Sequence, residues 1–142
     1  MDKSPLCPET GLPMVRASKP ITLTYKGESV TFDMPGWYCE ESGEGVHTGM
    51  DLKTSDRMLN LLKARVDGLL QPAEIRRIRR RLKITQVAAG NLIGGGPRAF
   101  QKYESGDLLP SKAVCSALLM LDSAPELLEL LKSRQTATRV SA

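Results

Sequence analysis

Three consecutive glycines and a proline, Gly94 to Pro97, separate two short helical patterns in the second half of the chain. Thr85 is typical of a helix N-cap, and the residues from it to Ile93 favour a helix. Pro97 suits the first turn of a second helix that extends through Tyr103. Because glycine adopts turn conformations that other residues avoid, this pattern predicts two helices joined by a tight turn, a helix-turn-helix.

The second predicted helix carries side chains that can recognise DNA bases. If Phe100 and Tyr103 point into the core, Arg98, Gln101 and Lys102 point outward. Arginine and lysine match guanine O6 and N7, whereas glutamine matches adenine N6 and N7. The triple glycine lacks the Gly-Lys-Ser/Thr ending and the preceding strand of a nucleotide-binding loop. These features together favour a DNA-reading helix.

Charge is divided unevenly along the chain. Residues 1–70 hold 8 Lys/Arg and 10 Asp/Glu, a net charge of −2, whereas residues 71–142 hold 12 and 6, a net charge of +6. Pro72 begins a predicted helix, Ala73 to Leu82, with five arginines outside its apolar stripe. Gln86, at the start of the next helix, suits a phosphate contact. The residues expected to contact DNA are Arg76, Arg80, Gln86, Gly96, Pro97, Arg98, Gln101 and Lys102.

The first part of the chain predicts a small β-rich module. Residues 20–33 contain two alternating, β-branched runs around Lys26-Gly27-Glu28, which is a hairpin signal. Met34-Pro35-Gly36 is expected to end the hairpin, and Trp37-Tyr38-Cys39 to form a third strand. Thr54 or Ser55 is expected to cap a connecting helix. The predicted division is a β-rich module at 1–50, a connecting helix at 51–70, an all-α domain at 71–134 and a disordered tail at 135–142.

Two segments resemble halves of a zinc knuckle. Cys7-Pro8-Glu9-Thr10 and Cys39-Glu40-Glu41-Ser42 each have a hydroxyl residue where a second cysteine would complete the Cys-x-x-Cys pattern. Structural zinc requires four ligands, and Thr10 and Ser42 are poor substitutes for thiolates. A set with His47 and a glutamate remains an alternative. We expect no metal, with Cys7 and Cys39 packed as small buried residues or joined in a labile disulfide.

The helix-turn-helix segment resembles the phage-repressor-like (XRE) family. The family pattern is matched by Thr85-Gln86, Gly90, Ile93-Gly94 and Glu104-Ser105-Gly106, although alanine is more usual at position 90. The whole layout is similar to a narrower group, the MqsA-type antitoxins of bacterial type II toxin–antitoxin systems. That similarity covers most of residues 5–131 and is most specific at the triple glycine followed by Ala99-Phe100. The implied fold class is α+β, with a degenerate zinc-knuckle module followed by a repressor-like domain.

The resemblance also implies a function. Members of the group carry an N-terminal zinc-binding module that neutralises a small ribonuclease toxin of the MqsR type, and a C-terminal domain that dimerises on a palindromic operator. The family's base-reading pair falls on Arg98 and Lys102. Homodimerisation has separate support in apolar residues beyond those that one small domain needs. They are Leu118, Leu119, Leu121, Leu127, Leu128, Leu130 and Leu131.

Other functions are less well supported by the composition. An odd number of cysteines, no apolar segment of spanning length and no export signal favour a reduced, cytoplasmic protein without membrane contact. A thiol enzyme using Cys7 or Cys39 would have only His47 to activate it, so we expect no enzymatic activity. The alternative is a stand-alone XRE-type regulator whose N-terminal module senses a ligand or a redox state.

Overall fold

The computed structural model describes the backbone of residues 4–141 and the side chains of residues 4–136. A three-stranded antiparallel sheet is followed by helices, which confirms the α+β class. The chain forms two compact units, one ending at Leu62 and the other beginning at Lys63. Within the described residues, no helix is both long and apolar enough to cross a membrane.

The first unit is built on the predicted hairpin. Strand β1 (Val15–Tyr25) pairs with β2 (Glu28–Tyr38), with Ile21 opposite Phe32. Lys26 and Gly27 both have positive φ, 49° and 82°, as a two-residue turn between twisted strands requires. The hairpin prediction is therefore confirmed.

The prediction that Met34-Pro35-Gly36 ends the hairpin is wrong, because β2 continues through these residues to Tyr38. The Pro35 carbonyl accepts a hydrogen bond from His47 Nδ1 at 2.9 Å, on the side facing away from β1. Since the nitrogen and carbonyl of a strand residue face the same side, proline removes no β1–β2 hydrogen bond. The third strand is instead β3 (Gly45–Val46), which pairs with Trp37 and Tyr38.

Helix α1 (Gly49–Asp67) begins earlier than predicted and crosses the boundary between the units. Its N-cap is Thr48, whose hydroxyl accepts from the Asp51 N–H at 3.3 Å while Asp51 accepts from the Thr48 N–H at 2.9 Å. Asp51 also receives two hydrogen bonds from the Arg16 guanidinium of β1, at 2.9 and 3.0 Å. Arg16 holds the pKa of this buried carboxyl well below its usual range. The start of α1 thus depends on a partner 35 residues away in sequence.

The second unit is all-helical. Its helices are α2 (Pro72–Arg81), α3 (Gln86–Ile93), α4 (Ala99–Ser105), α5 (Lys112–Ser123) and α6 (Leu128–Ser141), with a 3-10 turn at Pro125–Leu127. Ile75, Ile78, Phe100 and Leu118 are completely buried at its centre. Cys115 belongs to this core, and its sulfur lies 3.4 Å from the Leu70 nitrogen.

Helices α3 and α5 each begin at a hydroxyl residue that caps the helix. Thr85 accepts from the Ala88 N–H at 3.0 Å, and Ser111 accepts from the Val114 N–H at 3.1 Å. The C-terminal end differs, because α6 continues through Ser141 where disorder was predicted from residue 135. The polar composition there does not prevent helix propagation from Leu128, which is anchored in the core. Ala142 lies outside the described residues.

Gly90 of α3 is required by the turn that follows. The amides of Gly94 and Gly96 both donate to the Gly90 carbonyl, at 3.1 and 3.2 Å. A Cβ atom added at Gly90 would overlap the Gly96 carbonyl oxygen. The absence of a side chain at Gly90 therefore allows the backbone of Gly96 to approach α3. Glycine at this position has a structural role that offsets its low helix propensity.

We predict that Gly90→Ala destabilises the protein. Helix propensity alone would make alanine more stable by about 1 kcal/mol, but the overlap with backbone should reverse the sign and cost roughly 1–3 kcal/mol. Chemical denaturation, followed by helical circular dichroism, measures the difference. Asn91→Ala, at the exposed neighbouring position of α3, is the matched control and should not destabilise. A gain in stability for Gly90→Ala would contradict the assignment.

Candidate nucleic-acid interface

The turn between α3 and α4 brings the predicted helix-turn-helix together. Gly94, Gly95 and Gly96 have φ values of 141°, 96° and 91°, in the region that favours glycine. The Gly96 carbonyl accepts from the Ala99 N–H at 3.3 Å, so Pro97 and Arg98 belong to the turn and α4 begins two residues later than predicted. The helix-turn-helix geometry is nevertheless present, with α3 packed against α4.

Helix α4 is anchored by aromatic side chains and presents polar ones. Phe100 and Tyr103 are buried, and their rings meet edge to face with centroids 5.3 Å apart. Arg98, Gln101 and Lys102 are exposed. The inward and outward faces therefore lie as the helical spacing predicts.

Glu104, which the sequence analysis placed only in the family pattern, is a buried residue with charged partners. Its carboxylate accepts from Arg79 Nε at 2.6 Å and Nη2 at 2.9 Å, and from Arg76 Nε at 3.4 Å. Burial raises its pKa, but hydrogen bonds from Arg79 and Gln86 outweigh that effect and leave the pKa below its ordinary value. Its spacing of four residues from Phe100 was the available signal, because both then face the core.

This network involves two of the predicted DNA contacts, Gln86 and Arg76. The Gln86 side chain donates to Glu104, and Arg76 shares the same carboxylate although its side chain is half exposed. Both residues therefore help to orient α4. Arg80 is exposed on α2, whereas Arg77 and Arg81 bind Asp122 of α5 at 3.2 and 2.8 Å.

The leucine-rich end divides into core and surface. Leu118, Leu121 and Leu128 are buried, whereas Leu119, Leu127 and Leu130 are exposed. An apolar groove lies between α5 and the following helical segments. Its lining residues are Ala117, Met120, Leu121, Leu127, Leu130 and Leu131.

The two knuckle segments of the first unit form matching turns. In each, the cysteine carbonyl accepts at 2.9 Å from the amide of a glycine four residues later, Gly11 or Gly43. Both glycines have positive φ, 72° and 79°. Position 4 of each turn is the hydroxyl residue, Thr10 or Ser42. The structure thus repeats one backbone conformation at both segments.

The hydroxyl of each turn contacts the cysteine sulfur of the other turn. Ser42 Oγ lies 3.3 Å from Cys7 Sγ, and Thr10 Oγ1 lies 3.5 Å from Cys39 Sγ. The Ser42 amide also donates to Cys39 Sγ at 3.5 Å. Hydrogen bonds from Ser42 and Thr10 lower the pKa of Cys39 to about 6. The thiols are therefore buried, as predicted, but in a polar cluster that the expectation of simple apolar packing omitted.

A structural zinc ion does not fit this cluster. A structural zinc site requires four ligands, but this cluster supplies only two thiols. The hydroxyls of Thr10 and Ser42 do not serve as ligands in such sites. His47, the alternative third ligand, is bound to the Pro35 carbonyl. Within the described part of the chain, no three His, Cys, Asp or Glu side chains converge as a metal site.

Fold and surface define a helix-turn-helix protein with an added β-rich unit. The sequence profile described as the antitoxin component of a bacterial toxin–antitoxin system, MqsA, matches residues 2–132. The Antitoxin MqsA of Escherichia coli (strain K12) is 32% identical over 131 residues, which cover 89% of this chain and 96% of that protein. The chain belongs to the MqsA antitoxin family.

The buried network at Glu104 gives a prediction about stability. Glu104→Gln keeps the shape but leaves Arg79, whose side chain is only 13% exposed, without its counter-charge. We expect a loss of about 3 kcal/mol in the free energy of unfolding, because removing one partner leaves a buried charge. Urea denaturation measures it. Asp122→Asn breaks the more exposed pairs with Arg77 and Arg81 and should have a much smaller effect. If Glu104→Gln and Asp122→Asn lower the free energy of unfolding equally, the buried network at Glu104 is not the stronger one.

Proposed function

We propose that this chain is a cytoplasmic, non-enzymatic antitoxin that represses its own operon. Its second unit binds a palindromic operator as a homodimer, and its first unit neutralises a small ribonuclease toxin of the MqsR type. The observation that carries DNA binding is the exposure of Arg98, just before α4, and of Gln101 and Lys102 on α4, a helix anchored by Phe100 and Tyr103. Family membership supports the antitoxin role.

The geometry of α4 supports major-groove readout. Arg98 precedes the first turn of α4 and Lys102 follows one helical turn later, so both side chains lie along one face. A helix of this kind enters the major groove with its N-terminal residues against base edges. The excess positive charge of residues 71–142 favours phosphate contact and makes binding depend on salt.

The apolar groove supports homodimerisation. Met120, Leu127 and Leu130 line the groove together and are 60%, 45% and 67% exposed, so they form an apolar patch of the kind that marks a protein contact. A two-fold dimer would place the two α4 helices about 34 Å apart, the repeat of one DNA turn. A palindromic operator requires a spacing of this kind.

Replacing both predicted base-reading residues tests DNA binding. Arg98→Ala combined with Lys102→Ala should abolish sequence-specific retardation of the protein's own promoter, because each bidentate base contact contributes roughly 1–3 kcal/mol of discrimination. A gel-shift titration with operator and scrambled DNA measures this. The matched control, Lys53→Ala with Lys132→Ala, removes two exposed charges from other helices and should keep specific retardation. If the first variant binds like the unmodified protein, α4 does not read bases.

A truncated protein tests whether DNA binding and toxin neutralisation belong to different units. A fragment of residues 63–142 keeps Leu70, which belongs to the core of the second unit, and should still bind operator DNA. It should not rescue cells that express the toxin, because the neutralising surface belongs to the first unit. Growth after toxin induction, with the full chain as the positive control, measures rescue. Rescue by the fragment would show that the toxin-binding surface lies in the second unit.

A further inference from the structure

The thiol cluster of the first unit has the construction of a binding site that the antitoxin role does not use. Cys7, Cys39 and Met14 are each no more than 2% exposed and form one buried cluster with Trp37 beside it. Two matching turns deliver the thiols, one from each segment. Three sulfur atoms are therefore gathered in one small part of the unit.

The chemistry of these atoms selects a particular class of ion. Thiolates and thioethers are soft ligands that prefer Cu(I), zinc or iron–sulfur clusters. Zinc in a structural site and the common iron–sulfur clusters require four ligands, which this cluster does not supply. A monovalent ion needs fewer ligands, and two thiolates more than balance its charge.

We propose that Cys7 and Cys39 form a two-thiolate binding site for Cu(I). Binding forms two copper–sulfur bonds and releases to solvent any protons that the thiols still carry, with no change in oxidation state. The hydroxyls of Thr10 and Ser42 and the Ser42 amide lie 3.3–3.5 Å from the sulfurs and orient them.

The surroundings favour a cation. Glu9, Glu40 and Glu41 are exposed residues of the same two turns and add negative charge beside the thiols. Thr10 is exposed and Ser42 is only partly buried, so the hydroxyl side of the cluster gives access to solvent. Met14 and Trp37 pack against the cysteines and make the rest of their surroundings apolar.

Anaerobic titration of the reduced, full-length protein with Cu(I) against a competing chelator tests the proposal. We expect one Cu(I) per chain, and X-ray absorption should show a shell of sulfur ligands only. Cys7→Ser and Cys39→Ser should each weaken binding at least 100-fold. Cys115→Ser removes a buried thiol of the second unit and should change nothing.

Other outcomes would overturn the proposal. They are Cu(I) affinity that survives both Cys7→Ser and Cys39→Ser, binding lost in Cys115→Ser, or a copper shell dominated by nitrogen and oxygen. Tight binding of one Zn(II) by the unmodified protein would also overturn it. Because the absorption measurement uses the unmodified chain, the test holds even if a serine variant fails to fold. Operator retardation is measured separately, so failure of the copper site leaves the proposed DNA binding unaffected.

Discussion

The candidate DNA surface depends on one close backbone approach, that of the Gly96 carbonyl to Gly90. Only the absence of a side chain at Gly90 lets the turn fold back against α3. Gly95 has a similar role, since a Cβ there would lie 2.7 Å from the Ala99 Cβ and 2.9 Å from the Tyr103 hydroxyl. The start and tilt of α4 follow from these contacts, and the direction of Arg98 and Lys102 follows from α4.

Electrostatics then fixes the helix that packing has placed. Glu104 of α4 receives hydrogen bonds from Arg79 of α2 and Gln86 of α3, and Arg79 Nη1 also donates to the Ile84 carbonyl at 3.0 Å. The Glu104 carboxylate thereby connects α4 to both α2 and α3. A buried charge is costly unless it is fully satisfied, so the arrangement tolerates little rotation of α4. Rigid presentation of exposed side chains is what sequence-specific readout requires.

The sequence predicted elements whose signals are local. The cap at Thr85, the proline at the start of α2 and the hairpin turn at Lys26-Gly27 are all confirmed, because each depends on a few neighbouring residues. Long-range partners explain the misses. The start of α1 depends on Arg16, and the continuation of β2 through Pro35 depends on where β3 lies.

The candidate interface was predictable to a similar degree. Helical spacing was enough to separate buried Phe100 and Tyr103 from exposed Arg98 and Lys102. The inward role of Gln86 was missed because it requires the Glu104 carboxylate, which comes from another helix. The sequence therefore predicted which side chains face the core and which face solvent. It did not predict which residues pair, because the partners come from different helices.

The first unit has only a small buried cluster, so apolar packing contributes little to its stability. Four knuckle positions meet, yet their thiol–hydroxyl contacts are far weaker than zinc–thiolate bonds. Other contacts must then hold the sheet to α1, and the described geometry supplies them. Arg16 binds buried Asp51 at the N-terminus of α1 while its guanidinium lies 5.3 Å from the centre of the Trp37 ring. Trp37 in turn packs on the cysteines, so this one arginine connects the sheet, the helix and the knuckle cluster.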